Sequence, residues 1–366
     1  MSESPPIHLK RTDENLGEID ALANVLGGRS GLAGLLDEID DAGRRGRRAF
    51  LGGRLLGRAV DRAFTWDALD RRDPRWWPQG VTTSADASES EAMHGRRLLL
   101  VSWYAKERPE DEHGAHGSRI SVFDLDTQRY EHVLLVVPRL VDGVLSLDPL
   151  HIHAGGMVWL GNYLHVAATA RGLMTCSLDD ILRVPDFEIG SSRLAVDGER
   201  VSSLGYRYVL PVRFAYQAVT EEGEERLRYS FLSLDRTSEP MQVVVGEYGG
   251  TTKTRRLARY PLDPTTGLLD DEDGLTKPLG LHQEGAVRMQ GAVSAHGTWY
   301  LTASNGPWGL GTVYVGEPGA WRRHPWATPM GPEDISWWPS TDRFWSVSEH
   351  PRRRWLYSMR RDWFDR

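Results

Sequence analysis

Apolar positions follow two rhythms along the chain. Between Asn15 and Val60, Leu16, Ile19, Leu22, Val25 and Leu26 recur at steps of three and four, as do Leu32, Leu35, Leu36 and Ile39, with Gly27 and Gly28 between the groups. That spacing gathers apolar side chains on one helical face and predicts two or three amphipathic helices. The arginines 44, 45, 47 and 48 read as a solvated continuation of that helical region. Residues 1 to about 12 are polar and contain Pro5 and Pro6, so they are expected to fray. After Trp76 and Trp77 the texture changes. β-Branched and aromatic runs alternate with Gly, Pro, Asp and Asn to the C-terminus, which predicts short strands joined by turns.

A local pattern recurs within the β-rich part. A small or amide residue is followed by Gly or Asp and then an apolar residue, and a second strand opens about nine residues later. Gln79-Gly80-Val81, Gly155-Gly156-Met157, Gln290-Gly291-Ala292 and Glu333-Asp334-Ile335 all begin this way. A fifth, degenerate unit is placed between Gly190 and Gly280, with Tyr208–Phe214 as its first strand and Tyr229–Leu232, Val243–Val245 and Leu257–Tyr260 following. A sheet of this size cannot bury both faces alone, whereas five packed radially can. The predicted fold is therefore all-β, a five-bladed β-propeller over residues 63–366 with a short N-terminal helical extension over 1–62. The last unit is short, and a strand near Phe64 to Trp66 is expected to complete it and close the ring.

The Pro-Gln-Gly, His-Ala-Gly-Gly and Pro-Glu-Asp openings resemble those of bacterial β-propeller proteins of the actinobacterial type, over roughly residues 64 to 366. The resemblance implies a fold and leaves activity open, because propellers host hydrolases, lyases, oxidoreductases, lectins and scaffolds. An arginine-rich usage, with only Lys10, Lys106, Lys253 and Lys277 among 44 basic residues, points to a GC-rich source.

Composition narrows the partners. A net charge of −7 supplies no basic face for nucleic acid, and no run approaches the roughly 20 apolar residues of a membrane span, so neither partner is expected. Cys176 stands alone in an apolar run, which excludes an intrachain disulfide and predicts a buried thiol. The string Gly46–Leu51 looks like a twin-arginine export signal, but Arg54, Arg58, Asp61 and Arg62 interrupt what should be an apolar stretch. A cytoplasmic location is expected, with possible self-association through the helices.

Equivalent repeat positions form a ring around one mouth of a propeller axis. Gln79, Gly155, Gln290 and Glu333 share the first such position, and Gly80, Gly156, Gly291 and Asp334 the second, where a crowded axis favours glycine. Adjacent strand residues point to opposite faces, so only one of Glu333 and Asp334 should face the channel. His151 and His153 alternate about Ile152 and would share a face if extended, able to carry a proton or join Gln290, Glu333 or His350 around a divalent metal. Propeller lyases with His and Gln metal ligands are an architectural analogy.

His153, Glu333 and His151 are thus the catalytic candidates, and Gln79, Gln290, Arg213, Glu247 and His350 the ligand-binding ones. A second carboxylate would come from Glu247, Glu284 or Glu349. Most tryptophans occupy repeat positions between blades, whereas Trp103, Tyr104, Trp308 and Trp326 are expected near loops and a ligand. The acidic run Asp270–Asp273 lacks the spacing of a calcium loop and reads as surface. The expected function is binding of a small polar molecule, a saccharide or specialised metabolite, in the axial mouth by a lyase or hydrolase. The alternative is a non-catalytic propeller that binds a protein or glycan.

Overall fold

The computed structural model describes residues 5–49, 56–106, 116–185 and 193–366. Its β-rich part is built from antiparallel meanders taken in chain order. The first sheet runs through Trp76–Thr83, Leu98–Ala105, Ser118–Asp124 and Arg129–Val141. Met157–Leu160, Tyr163–Ala167, Gly172–Ser177 and Phe214–Thr220 make the second. Phe231–Asp235, Gln242–Gly246, Leu257–Asp263 and Gly280–His282 make the third. The fourth comprises Met289–Ala295, Thr298–Ala303, Leu310–Glu317 and Ala320–Met330. Pro332–Trp338, Arg343–Ser348 and Trp355–Arg360 begin the fifth, and Val60–Thr65 completes it by pairing with Trp355–Arg360. The closing strand expected near Phe64 is this one.

Alternation along each strand sends successive side chains into different cores, and both are dry. Leu99 and Val101 pack with Trp345, Val347 and Leu356 of the fifth sheet, while Leu98 and Leu100 pack with Trp159, Leu164 and Val166 of the second. The same rule joins the second sheet to the third, the third to the fourth and the fourth to the fifth. The first strands of the sheets lie against one another, giving a radial, propeller-like arrangement. Glycines permit that approach: a Cβ on Gly80 would sit 2.9 Å from the Gly156 backbone, one on Gly156 2.1 Å from Leu232 N, and one on Gly291 2.7 Å from Asp334 Cα. Cys176 is buried, and Asp270–Asp273 are exposed.

Three sequence readings need correction. Residues 7–11 do not fray: Ile7–Arg11 pairs with Phe214–Thr220, and Leu9 is fully buried. The arginine cluster is not helical but forms the short strands Arg44–Arg45 and Arg47–Arg48, because the chain leaves the second helix extended at Gly43 and passes so close to Phe123 at Gly46 that a Cβ there would clash. The fifth repeat unit was also placed out of register. Tyr208–Pro211 lies parallel to Arg129–Val141 in the first sheet, Phe214–Thr220 closes the second, and the third sheet opens only at Phe231.

Helices Leu16–Leu26 and Gly31–Ala42 form where the three-four spacing placed them, and their apolar stripes are buried against the chain's own first two sheets. Gly27 ends the first helix in the left-handed region at φ 84°, where glycine carries no Cβ penalty. Among the described residues no helix is long and apolar enough to cross a membrane. Gly190 and the Phe50-Leu51 end of the twin-arginine string lie outside the described residues.

Candidate functional site

The first position of the axial ring is where the strands depart from regular pairing. Between Pro78 and Val81, Met289 and Gly291, and Pro332 and Ile335 the register slips by one residue against the neighbouring strand. Each slip is a bulge, which re-aims a side chain that regular alternation would point elsewhere. The re-aimed residues are Gln79, Gln290 and Glu333, and all three line one cavity of about 490 Å³. The bulged backbone is held in place by buried hydroxyls. Gly80 N donates to Ser102 Oγ at 2.8 Å, Ser102 donates to Ala154 O at 2.6 Å, and Thr302 Oγ1 donates to Glu333 O at 2.6 Å.

His153, Thr169, Arg228, Ser230, Tyr248, Lys253 and Glu349 complete the lining. Asp334 faces the other way, as alternation required. Its Oδ2 accepts from Val81 N at 3.2 Å and Met157 N at 3.3 Å, tying three axial strands together.

Two glutamates share the cavity, each held by a glutamine. Gln290 Nε2 donates to Glu333 Oε1 at 3.2 Å, and Gln79 Nε2 donates to Glu349 Oε2 at 3.3 Å. Burial raises the Glu333 carboxyl well above the ordinary range, and the nearby Glu349 and Asp334 carboxyls push it the same way. Glu349 is also raised by burial, against the opposing pull of Lys106, Gln79 and Arg354.

His153 lies with its ring 4.2 Å from that of Tyr104. His153 is exposed to solvent on one side, and desolvation of its ring and the Lys106 ammonium lower its pKa, favouring the neutral imidazole. Burial, Glu349 and Glu333 raise the Tyr104 phenol, which stays protonated. Glu333, its pKa raised, and His153, its pKa lowered, line the same cavity, shifts in the directions that favour a proton donor and a proton acceptor.

The other candidates lie elsewhere. His151 is exposed and outside the cavity lining, and the segment from His151 to Gly155 is not a strand, Ala154 taking φ 52°; the two histidines do not share a strand face. Arg213 is paired with Asp180 at 3.1 Å and Glu14 at 3.6 Å. Glu247 is fully buried; burial works to raise its pKa, but hydrogen bonds from the Arg256 side chain and from the backbone of Arg256 and Arg228 outweigh it, so it braces a loop as a carboxylate. His350 packs edge-on against Trp77 with Nδ1 3.6 Å from Glu349, behind the cavity wall.

Glu284 is exposed away from the site, so of the three possible second carboxylates only Glu349 reaches it. Trp103 is not near a ligand: it is fully buried and donates to Ser121 Oγ at 2.7 Å. Trp308 and Trp326 are exposed beneath the guanidinium groups of Arg353 and Arg58.

Sequence reasoning missed Thr169, Arg228, Ser230 and Lys253. Ser230 precedes the third axial strand and occupies the place of Gln79 and Gln290, hidden by the misplaced register. Lys253 had a signal: the chain has four lysines, and two of them serve this mouth, Lys253 in the lining and Lys106 with its Nζ 3.1 Å above the Trp77 ring. Among the described residues no group of three or more His, Cys, Asp or Glu is arranged to hold a metal ion.

No protein-family profile and no curated protein matches the chain. Solved structures similar to it include a gluconolactonase from Xanthomonas campestris, at 13% identity over 87% of this chain and 85% of that one, with a TM-score of 0.35. The β-propeller domain of Cps50 (Swd1) from Myceliophteria thermophila matches at 11% identity over 77% and 96%, TM-score 0.35. Hydrazine synthase from Kuenenia stuttgartiensis matches at 9% over 77% and 86%, TM-score 0.30. Likeness of this degree carries no argument about what the cavity does, which rests on the cavity's own residues.

Proposed function

We propose that the chain is a five-bladed β-propeller that binds a small polar molecule in its axial cavity and acts on it as a hydrolase or lyase. Five hydrophobic cores, each shared by two neighbouring sheets, and the pairing of Val60–Thr65 with Trp355–Arg360 support that count of blades. The observation that carries the reading is the convergence of three bulges that turn Gln79, Gln290 and Glu333 into one cavity beside His153 and Glu349.

In this reading Glu333 gives its proton to the oxygen that leaves, and His153 takes a proton, from water in a hydrolysis or from carbon in an elimination. The two groups start in opposite protonation states, as a donor and an acceptor must. Gln79 and Gln290 fix the two glutamates and offer their remaining amide positions to ligand hydroxyls. The steps use side chains alone.

The test is turnover followed by NMR on a panel of small lactones, glycosides and uronides. Wild-type protein should convert at least one member, and Glu333→Gln and His153→Ala should each slow it. Equal rates in all three proteins, or capture of a ligand without conversion, would defeat the catalytic reading and favour a non-catalytic binding module.

A further inference from the structure

The cavity holds positive charge that proton transfer does not use. Lys253 lies on the loop between Gln242–Gly246 and Leu257–Asp263, exposed and lining the cavity; its backbone N–H donates to Gly250 O, and its ammonium has no hydrogen-bond or ion-pair partner among the described residues. Arg228 stands in the same lining. Its Nη2 donates to Thr254 O at 2.8 Å and lies 3.7 Å from Glu247, a carboxylate that Arg256 already holds at 2.9 Å. Lys106 lies over the Trp77 ring, near enough to Glu349 to act on its carboxyl.

Glu247 and Glu225 pair with Arg228 at 3.7 and 3.5 Å, whereas no carboxylate among the described residues pairs with the Lys253 ammonium. Burial raises the Glu333 carboxyl well above the ordinary range, and Glu349 interacts with Gln79, Lys106 and the buried Arg354. An anionic ligand would give the exposed, water-solvated Lys253 ammonium a charged partner that an uncharged one would not. The rest of the lining suits hydroxyls and one flat face: the hydroxyls of Thr169 and Ser230, two primary amides, and Tyr248, 46% exposed.

We propose that the cavity selects a small hydroxylated organic acid, its carboxylate held by Lys253 beside Arg228, its hydroxyls by Gln79 and Gln290, and one face covered by Tyr248. The proposal rests on the axial cavity being the binding site and not on the reaction assigned to it. A single unpaired ammonium matches a monoanion better than a dianion such as phosphate.

The experiment is a thermal-shift and calorimetric titration with D-glucuronate, D-gluconate and D-galacturonate. D-Glucuronamide serves as the uncharged counterpart and inorganic phosphate as a bare anion. At least one acid should bind, with glucuronamide at least tenfold weaker than glucuronate wherever glucuronate binds. Lys253→Met should weaken acid binding roughly tenfold, and Lys253→Arg should restore most of it. The proposal is overturned if no acid binds, if glucuronamide binds as well as glucuronate, if Lys253→Met binds acids unchanged, or if phosphate binds more tightly than every acid.

Turnover by the wild type separates this from the catalytic reading. Acid binding without turnover by the wild type would end the catalytic reading and leave this one standing. Turnover that survives Lys253→Met with uncharged substrates alone would do the reverse.

Discussion

Two regions of the molecule bury acidic groups to the same depth and treat them in opposite ways. Asp70, 4% exposed, accepts from Tyr130 Oη at 2.6 Å, Arg119 Nη2 at 3.0 Å and His132 Nε2 at 2.9 Å, with Arg44 at 3.6 Å. Burial works to raise its pKa, but the contacts with His132, Arg119 and Arg44 outweigh it and hold the group well below the ordinary range. Glu333 and Asp334, 2% and 0% exposed, meet amide and backbone donors and no cation directly, and both are raised well above it. Depth is common to both regions, and the partners decide the proton. Arg354 lies between them, donating from Nη1 to Asp70 O at 2.6 Å and from Nε to Glu349 O at 2.9 Å. A saturated ion network surrounds Asp70 on one side of it, and on the other Glu333 sits in the axial cavity without a directly paired cation.

Removing the carboxylate from the saturated region should have the largest effect. Asp70→Ala strands the Arg119 guanidinium, which is 4% exposed and has Asp70 as its acidic partner, and breaking such a pair costs about 3–5 kcal/mol. Chemical denaturation at neutral pH should show that loss; a change below about 1 kcal/mol would mean that the network is not what braces this side. In the charge-poor region the corresponding change removes chemistry and spares the fold. Glu333→Gln copies the protonated carboxyl, so its denaturation midpoint should match or exceed the wild type at pH 7, while turnover falls at least about 100-fold. A clearly destabilised Glu333→Gln would show that the carboxyl is ionised in the native protein.

This contrast also separates what the sequence shows from what it hides. The radial sheets were legible because both faces of each strand are apolar and because Gly80, Gly156 and Gly291 mark the crowded axis at one repeat position. The third sheet was not, since its axial strand opens on Ser230-Phe231 with no glycine to mark it. Gln79, Gln290 and Glu333 were legible as a set from their shared place in the repeat. The bulges that aim them were not, because a one-residue slip depends on pairing with the next strand. The Asp70 network draws on Arg44, Asp70, Arg119, Tyr130 and His132, scattered over three stretches of chain with no periodic sign of one another.

A third way to sharpen the comparison uses acid. His132 donates into the saturated network, and His165 bridges Thr175 Oγ1 at 2.9 Å and Gly267 O at 2.8 Å; both are fully enclosed, and burial lowers each to about 4. Arg119 adds to the lowering at His132. An unfolded histidine titrates near 6.5, so between 6.5 and 4 the unfolded chain binds more protons than the folded one. Stability is therefore fully present above pH 6.5 and is lost as the pH falls toward 4, on the order of 2 kcal/mol for each imidazole. Stability of the wild type relative to His165→Gln should fall as the pH is lowered from 7.5 to 4.5, read as the difference between their denaturation midpoints. A difference that stays constant over that range would return that imidazole to the charged state.

The smallest effect expected is at Asp334, and its sign tests the other half of the comparison. Here the folded pKa is raised, so the folded chain binds more protons than the unfolded one once the pH passes the unfolded aspartate value of about 3.9. Its stability contribution is intact in acid and declines as the pH climbs toward the folded value, opposite in direction to the histidine limb. Asp334→Asn keeps the acceptor for Val81 N and Met157 N and cannot ionise, while its amide nitrogen takes the place of Oδ1, an atom with no partner in the structure. The variant should match the wild type at pH 5 and melt about 2 °C higher at pH 8. A lower melting temperature at pH 8 would mean that Asp334 is a carboxylate there, and the axis would then hold a charge by the same means as the Asp70 network.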